Sequence, residues 1–296
     1  MDGTLVERQR RRYGRGFYAR FRRLRWLFRY DCRHRLLVME ETFRRHSVPF
    51  EHLKVFELGF GTGDLLLRFD PSCSLHGCEV SEEAIAALSA DPRIGSYAGA
   101  SFVATAPDGS PRFPSSEYDL MIASHVLEHV PDDVGALEAM AGNTRAGGLG
   151  LFFLPLEPPR HNPDHVRTYT AAGFVRLLEA TGWAPIEVAE NFRYASHWVQ
   201  VVNWPSRRRV PILGAVVETA KNVVLSLPPA SLMMLVEGPL EALHVAPRQL
   251  MVLARRAAEA TYSTRPASGP PWTPMSLRVP SRSRMAGSPA SMRADE

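Results

Sequence analysis

At 296 residues the chain has room for one large domain or two small ones. A hydrophobic share of 45% allows a sizeable core, while Cys32, Cys73 and Cys78 are too few for a disulfide framework and show no metal-ligand spacing. The net charge of +4 is carried almost wholly by arginine, since lysine occurs only at Lys54 and Lys221; a GC-rich genome explains that bias more simply than a chemical role. No secretory apolar segment follows Met1, which points to a reducing cytoplasm. The longest uncharged apolar run, Asn222 to Val236, is too short for a membrane span and contains Pro228 and Pro229.

Taken in order, residues 1–16 are polar and basic. Phe17, Phe21, Leu24 and Phe28 then repeat at helical spacing, with Arg20, Arg22, Arg23, Arg25 and Arg29 on most of the other face. Leu36, Met39 and Phe43 mark a second helix that ends near His46, before Pro49. Residues 1–48 thus form a basic helical arm. It is either a cap for an anionic substrate, membrane surface or nucleic acid, or a solvated amphipathic helix lying against the domain.

The run from Leu53 to Leu58 reads as a buried strand that feeds directly into Gly59, Gly61 and Gly63. Leu65, Leu66, Leu67 and Phe69 continue as the apolar face of a helix expected over Asp64–Phe69. Strand, glycine turn and helix open a nucleotide-binding βαβ unit, in which glycines let the backbone approach a ligand and the helix start offers free N–H groups. A dinucleotide fingerprint would need glycine at position 64, where Asp64 disfavours a pyrophosphate. Glu57, two residues before the first glycine, suits a cationic ligand instead. This E-x-G-x-G-x-G pattern resembles motif I of class I S-adenosylmethionine (SAM) methyltransferases, whose acid faces the methionine end of the cofactor.

Ser74–Val80 is a second strand ending at Glu79, 22 residues after Glu57, where an acid can accept hydrogen bonds from both ribose hydroxyls. Ser81 caps a helix over Glu82–Ala90. His76 to Ser81 is similar to the methyltransferase pattern G-x-[DE]-x-S. Further strands are expected at Ser101–Thr105, Tyr118–Ala123 and Gly148–Pro155, with a helix over Asp132–Asn143 stopped by Gly147 and Gly148. Ser124-His125-Val126-Leu127-Glu128-His129-Val130 follows the fourth strand and resembles the corresponding block of the ubiquinone- and menaquinone-biosynthesis methyltransferases, which act on small molecules.

A proline-rich loop, 156–169, comes next and carries His161 and His165; its H-x-R-x-Y-T run resembles the same group. A helix capped by Thr170 runs to Thr181, Gly182 stops it, and Ala184–Val188 is a sixth strand. Residues 190–246 fit the family least. With Trp198, Trp204, Arg207–Arg209 and two apolar stretches they suggest an inserted helical hairpin, serving either as a wall for an apolar substrate or as packing or a dimer face. Gln249–Ala254 is the last strand, and 257–296 has the composition of a disordered tail. The expected architecture is a Rossmann-like, seven-stranded, doubly wound α/β sheet over 49–256 with helices on both faces, an N-terminal cap and an insertion before the last strand.

The resemblance implies S-adenosyl-L-methionine as cofactor, with Glu57, Gly59, Gly61, Gly63, Glu79, Val80 and Ser124 around it. Asp108, after the third strand, could accept the adenine amine. SAM brings its methyl group already activated, so the protein has mainly to position an acceptor and sometimes to take a proton. His125, His129, His161 and His165 are candidate bases, with His125 and His165 best placed by sequence. The sequence lacks the [DNS]-P-P-[YFW] motif of amino-methylating nucleic-acid enzymes, and no cysteine after Cys78 serves cytosine-C5 or arsenite chemistry. No metal-ligand cluster is visible along the chain, so metal-dependent catechol chemistry is not expected. The leading expectation is methyl transfer to oxygen, nitrogen or carbon of a small molecule. The alternatives are an RNA or protein methyltransferase that uses the basic arm, and a methyltransferase-like binding protein without catalysis.

Overall fold

The computed structural model describes residues 30–157, 165–194 and 230–257, together with positions 213, 216, 220, 224 and 227. The expectations for the Phe17–Phe28 helix, His161, Trp198, Trp204, Arg207–Arg209 and the tail fall outside the described residues. Helix α1 (Tyr30–Arg45) is followed by β1 (Lys54–Leu58), β2 (Ser74–Glu79), α2 (Glu82–Ser89), β3 (Gly99–Ala104) and β4 (Tyr118–Ser124). Then come α3 (Asp133–Asn143), β5 (Thr144–Pro155), α4 (Ala171–Ala180), β6 (Trp183–Asn191), α5 (Ala230–Ala242) and β7 (Gln249–Arg256). Among these helices none is long and apolar enough to cross a membrane.

The seven strands form one sheet in the order β3-β2-β1-β4-β5-β7-β6. Strands β1 to β5 are parallel, and β7 enters antiparallel between β5 and β6. The order reverses between β1 and β4, and that switch leaves a crevice beyond the carboxyl ends of the strands.

Alternation along the strands divides the apolar residues between the two faces. Met121, Ala123, Phe152, Leu154, Leu250 and Val252 join Leu137 and Met140 of α3 and Phe174 and Leu178 of α4 on one side. Leu120, Ile122, Leu151, Phe153, Met251 and Leu253 join Met39 and Phe43 of α1 and Leu88 of α2 on the other. Helix α1 is therefore part of the core; Phe43 is fully buried, with its ring 5.1 Å from that of Phe50. Its last turn is tied to the edge strand, where Glu187 meets Arg45 and lies 2.6 Å from His46 Nε2.

Two expected boundaries change. The helix expected over Asp64–Phe69 is a single 3-10 turn, Leu66–Arg68. Leu65, Leu66 and Phe69 all turn into the core, and Pro71 disfavours helical backbone at Asp70, so there is length for one turn only. Strand β5 starts at Thr144, because Gly147 (φ +73°) and Gly148 make an irregularity inside the strand instead of ending a helix loop.

Because α1 shares the core, Phe43→Ala should destabilise the protein by about 3–5 kcal/mol in denaturant titration. A loss below about 1 kcal/mol would show that α1 is not part of the cooperative unit.

Candidate active site

The site is built on the turn after β1. Gly59, Gly61 and Gly63 have φ of +67°, +52° and +69°, which glycine adopts at no steric cost. The first and last are also crowded: a Cβ on Gly59 would stand 2.5 Å from Val126 Cγ2, and one on Gly63 2.7 Å from Leu88 Cδ1. The turn therefore lies directly against the segment after β4 and against α2. The segment behind it is only a 3-10 turn, so the α-helix start expected there from sequence is not formed.

Glu79, at the end of β2 and 5% exposed, closes the turn from the neighbouring strand. Its carboxylate accepts hydrogen bonds from the N–H groups of Gly61 (2.8 Å), Val80 (2.7 Å) and Ser81 (3.3 Å). Burial raises its pKa and the three donors pull it partly back. Ser81 caps α2, accepting from Ala84 N at 3.2 Å.

Glu57, at the end of β1, is 3% exposed and its Oε2 has no hydrogen-bond partner. Burial pushes its pKa well above the usual carboxylate range; Arg35 of α1 counters this, while Asp64 and Glu79 add to it.

After β4 the chain passes through Ser124, whose Oγ is buried without a partner, into His125 at φ +52°. For a residue with a side chain this left-handed conformation stores strain, a feature that clusters at functional sites. His125 N donates to Phe153 O at 2.9 Å. Its Nε2 lies 3.2 Å from Gln249 Oε1, while Gln249 Nε2 donates to Asn191 Oδ1 at 2.9 Å. That chain of amides turns Oε1 toward the imidazole, an arrangement that favours the tautomer protonated at Nε2, and Nδ1 lies 3.8 Å from Glu128 Oε1. Gln249 carried no functional signal in the sequence beyond opening the last strand.

The turn Leu127–His129 follows. Glu128 is 1% exposed; its Oε2 is unpartnered and its pKa is pushed up to about 7 by burial. His129 and His165 stack edge to face at 4.8 Å, and His165 Nδ1 lies 3.1 Å from Glu157 Oε2. Arg167 and Tyr169 hold this turn in place. Arg167 donates to the carbonyls of Leu127, Val130 and Pro131, and Tyr169 OH bonds Asp133 at 2.7 Å.

The fold thus gathers Glu57, the glycine turn, Glu79 and Val80 at one end of β1 and β2, with Ser124 and His125 at the end of the adjacent β4. Asp108 stands apart from this arrangement in an exposed turn, where its carboxylate is engaged by Ser110 N (2.9 Å) and Oγ (2.7 Å).

A buried acid with a raised pKa binds a proton in the folded state that the unfolded state has released, so stability falls as pH rises above the ordinary carboxylate range. Glu57→Gln removes this cost. The variant should melt at a higher temperature than wild type at neutral pH, and the gain should shrink as pH drops toward the ordinary carboxylate value. A gain that does not change with pH would contradict the burial of an uncompensated acid.

Residues 56–149 match the family model described as "Methyltransferase domain". No curated protein matches the chain. Among solved structures, a putative methyltransferase from Bacillus halodurans is 11% identical, with 74% of this chain and 98% of that one covered at a TM-score of 0.47. A SAM-dependent methyltransferase from Aquifex aeolicus is 11% identical over 74% and 89% of the two chains, with a TM-score of 0.46. One from Mesorhizobium loti is 17% identical over 72% and 95%, with a TM-score of 0.45. The family match runs from β1 into β5, on a sheet whose strand-end motifs converge at the switch point, and over residues 56–149 the chain is similar to a methyltransferase domain.

Proposed function

We propose that the protein transfers the methyl group of SAM to a small-molecule acceptor, at oxygen, nitrogen or carbon. The observation that carries this reading is the buried Glu57 carboxylate, unpartnered at Oε2, beside a glycine turn that Glu79 braces from the next strand. A cationic amino group is what this acid lacks, and the methionine end of SAM supplies one. Glu79 keeps lone pairs for a ribose diol, since Oε2 accepts one described hydrogen bond and a carboxylate oxygen takes two. Gly59, Gly61 and Gly63 would let the cofactor lie against bare backbone, with Val80 and Ser124 along its sides.

The bound cofactor supplies an electrophilic methyl group on a sulfonium. The protein's task is to hold the acceptor in line and to accept its proton where one is lost. His125 is the residue we assign to that proton, through Nδ1, with Gln249 fixing the ring. His165 is turned to Glu157 and His129, so it is the weaker of the two candidates for that role. Beside Glu157 a groove lined by Leu156, Tyr169, Glu190 and Arg248 leaves space at the strand ends for an acceptor. The small size of that groove favours a small acceptor over RNA or protein.

Calorimetry with SAM and S-adenosylhomocysteine tests the cofactor half. Glu79→Ala should lose roughly tenfold to a hundredfold in affinity, the equivalent of charged hydrogen bonds at about 1.5–3 kcal/mol. Gly61→Val should lose binding while circular dichroism stays native; unchanged affinity in both would remove the turn from the site. For the acceptor half, His125→Ala should lower kcat by about a hundredfold to ten-thousandfold with SAM affinity nearly unchanged. Wild-type turnover in that variant would mean that positioning alone suffices.

A further inference from the structure

The turn after β4 holds a grouping that the cofactor reading does not use. Glu128, His129 and His165 each offer one ligand atom, and these atoms lie within 4.8 Å of one another. Glu157 stands at the edge of the group, 3.1 Å from His165 Nδ1. The Glu128 side chain is 2% exposed, with Oε2 out of contact with any hydrogen-bond partner. A buried carboxylate oxygen left unsatisfied is costly, and it is retained where something else completes it.

We infer that Glu128, His129 and His165 form a binding site for one divalent first-row transition-metal ion, with Glu157 able to join as a fourth ligand. Two imidazoles and a carboxylate are the donor set that suits zinc, iron, cobalt or manganese. Two ligand atoms bound at about 2.1 Å to one ion lie at most about 4.2 Å apart. In a tetrahedral set two such atoms stand about 3.4 Å apart, so a span of 4.8 Å closes by about 1.4 Å, within the reach of side-chain rotation. The scaffold is already set from both sides. Val166 N donates to Glu128 O at 2.9 Å, and Arg167 clasps the carbonyls of Leu127, Val130 and Pro131. These bonds join the segments that carry the three ligands, so binding would not have to order a loop.

In chain terms the site is three residues from His125 on one turn, and Val126 of that turn packs on Gly59. Resting on the methyltransferase reading for its role, the ion faces the acceptor side, and its remaining coordination positions would take an acceptor oxygen. Bound there, a hydroxyl is made more acidic and is oriented in the same step. Sequence reasoning missed this grouping because 36 residues separate His129 from His165 and no short motif spaces them.

The test uses the full chain, stripped with chelator and then titrated with Co²⁺ while visible d–d absorption is recorded, followed by competition with Zn²⁺. One equivalent of Co²⁺ should bind with the spectrum of an N/O-ligated ion, and Zn²⁺ should displace it. Glu128→Gln, His129→Ala and His165→Ala should each weaken binding by more than about a hundredfold, beyond the loss typical of an outer-shell change. The control His46→Ala, at an exposed histidine beside Glu187, should leave binding unchanged. Circular dichroism identifies any variant that has not folded, and the remaining two then decide. No stoichiometric Co²⁺ binding by wild type, or equal affinity in the folded ligand variants, overturns the inference. Calorimetry with SAM on the same samples separates the two readings: SAM binding without metal binding leaves the proposed function standing and removes the metal site alone.

Discussion

The hydrogen bond from Gly61 N to the buried Glu79 carboxylate joins the ends of β1 and β2 at the site. It fixes the glycine turn of β1 to the end of β2, and the same carboxylate gathers the N–H groups of Val80 and Ser81 ahead of α2. With the turn held there, Glu57 is enclosed at the neighbouring strand end and Val126 seats against Gly59. The position of the β4 exit, and so of His125 and Glu128, follows from that packing. A site assembled this way is fixed by backbone and strand register more than by flexible side chains, which is the condition for holding reactants in line.

The strands were legible because a parallel sheet buried on both faces writes itself as short apolar runs. Leu53–Leu58, Tyr118–Ala123 and Gln249–Ala254 read as strands and begin or end within two residues of the observed bounds. The glycine spacing and the acids at 57 and 79 were legible for a related reason: positive φ and strand-end placement leave local marks. Where local marks mislead, the reading failed. Gly147 and Gly148 look like a loop and are an irregularity within β5. Leu65 to Phe69 looks helical, and burial of Leu65, Leu66 and Phe69 just ahead of Pro71 permits a single 3-10 turn. The antiparallel entry of β7 between β5 and β6 left no local trace, since apolar alternation does not encode strand direction.

The side chains that complete the site were hidden for a different reason. Gln249 matters because Asn191, 58 residues earlier, orients its amide toward His125. A glutamate in a turn usually lies in solvent, yet the 165–169 segment folds back over Glu128. Arg35 bears on both Glu57 and Glu128 from a helix assigned by sequence to a basic arm. Each of these is a contact between distant segments, and no periodicity or motif carries such information.

The central claim is the proposal that the buried Glu57 carboxyl, unpartnered at Oε2, receives the ammonium group of the cofactor. Burial raises its pKa, so this carboxyl holds its proton to higher pH than an ordinary glutamate does, and an arriving ammonium group would drive that proton off. Calorimetric titration of SAM in two buffers of different ionisation enthalpy measures this directly. The account predicts that binding releases a proton to the buffer, and that the release is lost in Glu57→Gln. Binding with no buffer dependence in wild type, or with the same release in Glu57→Gln, would contradict it.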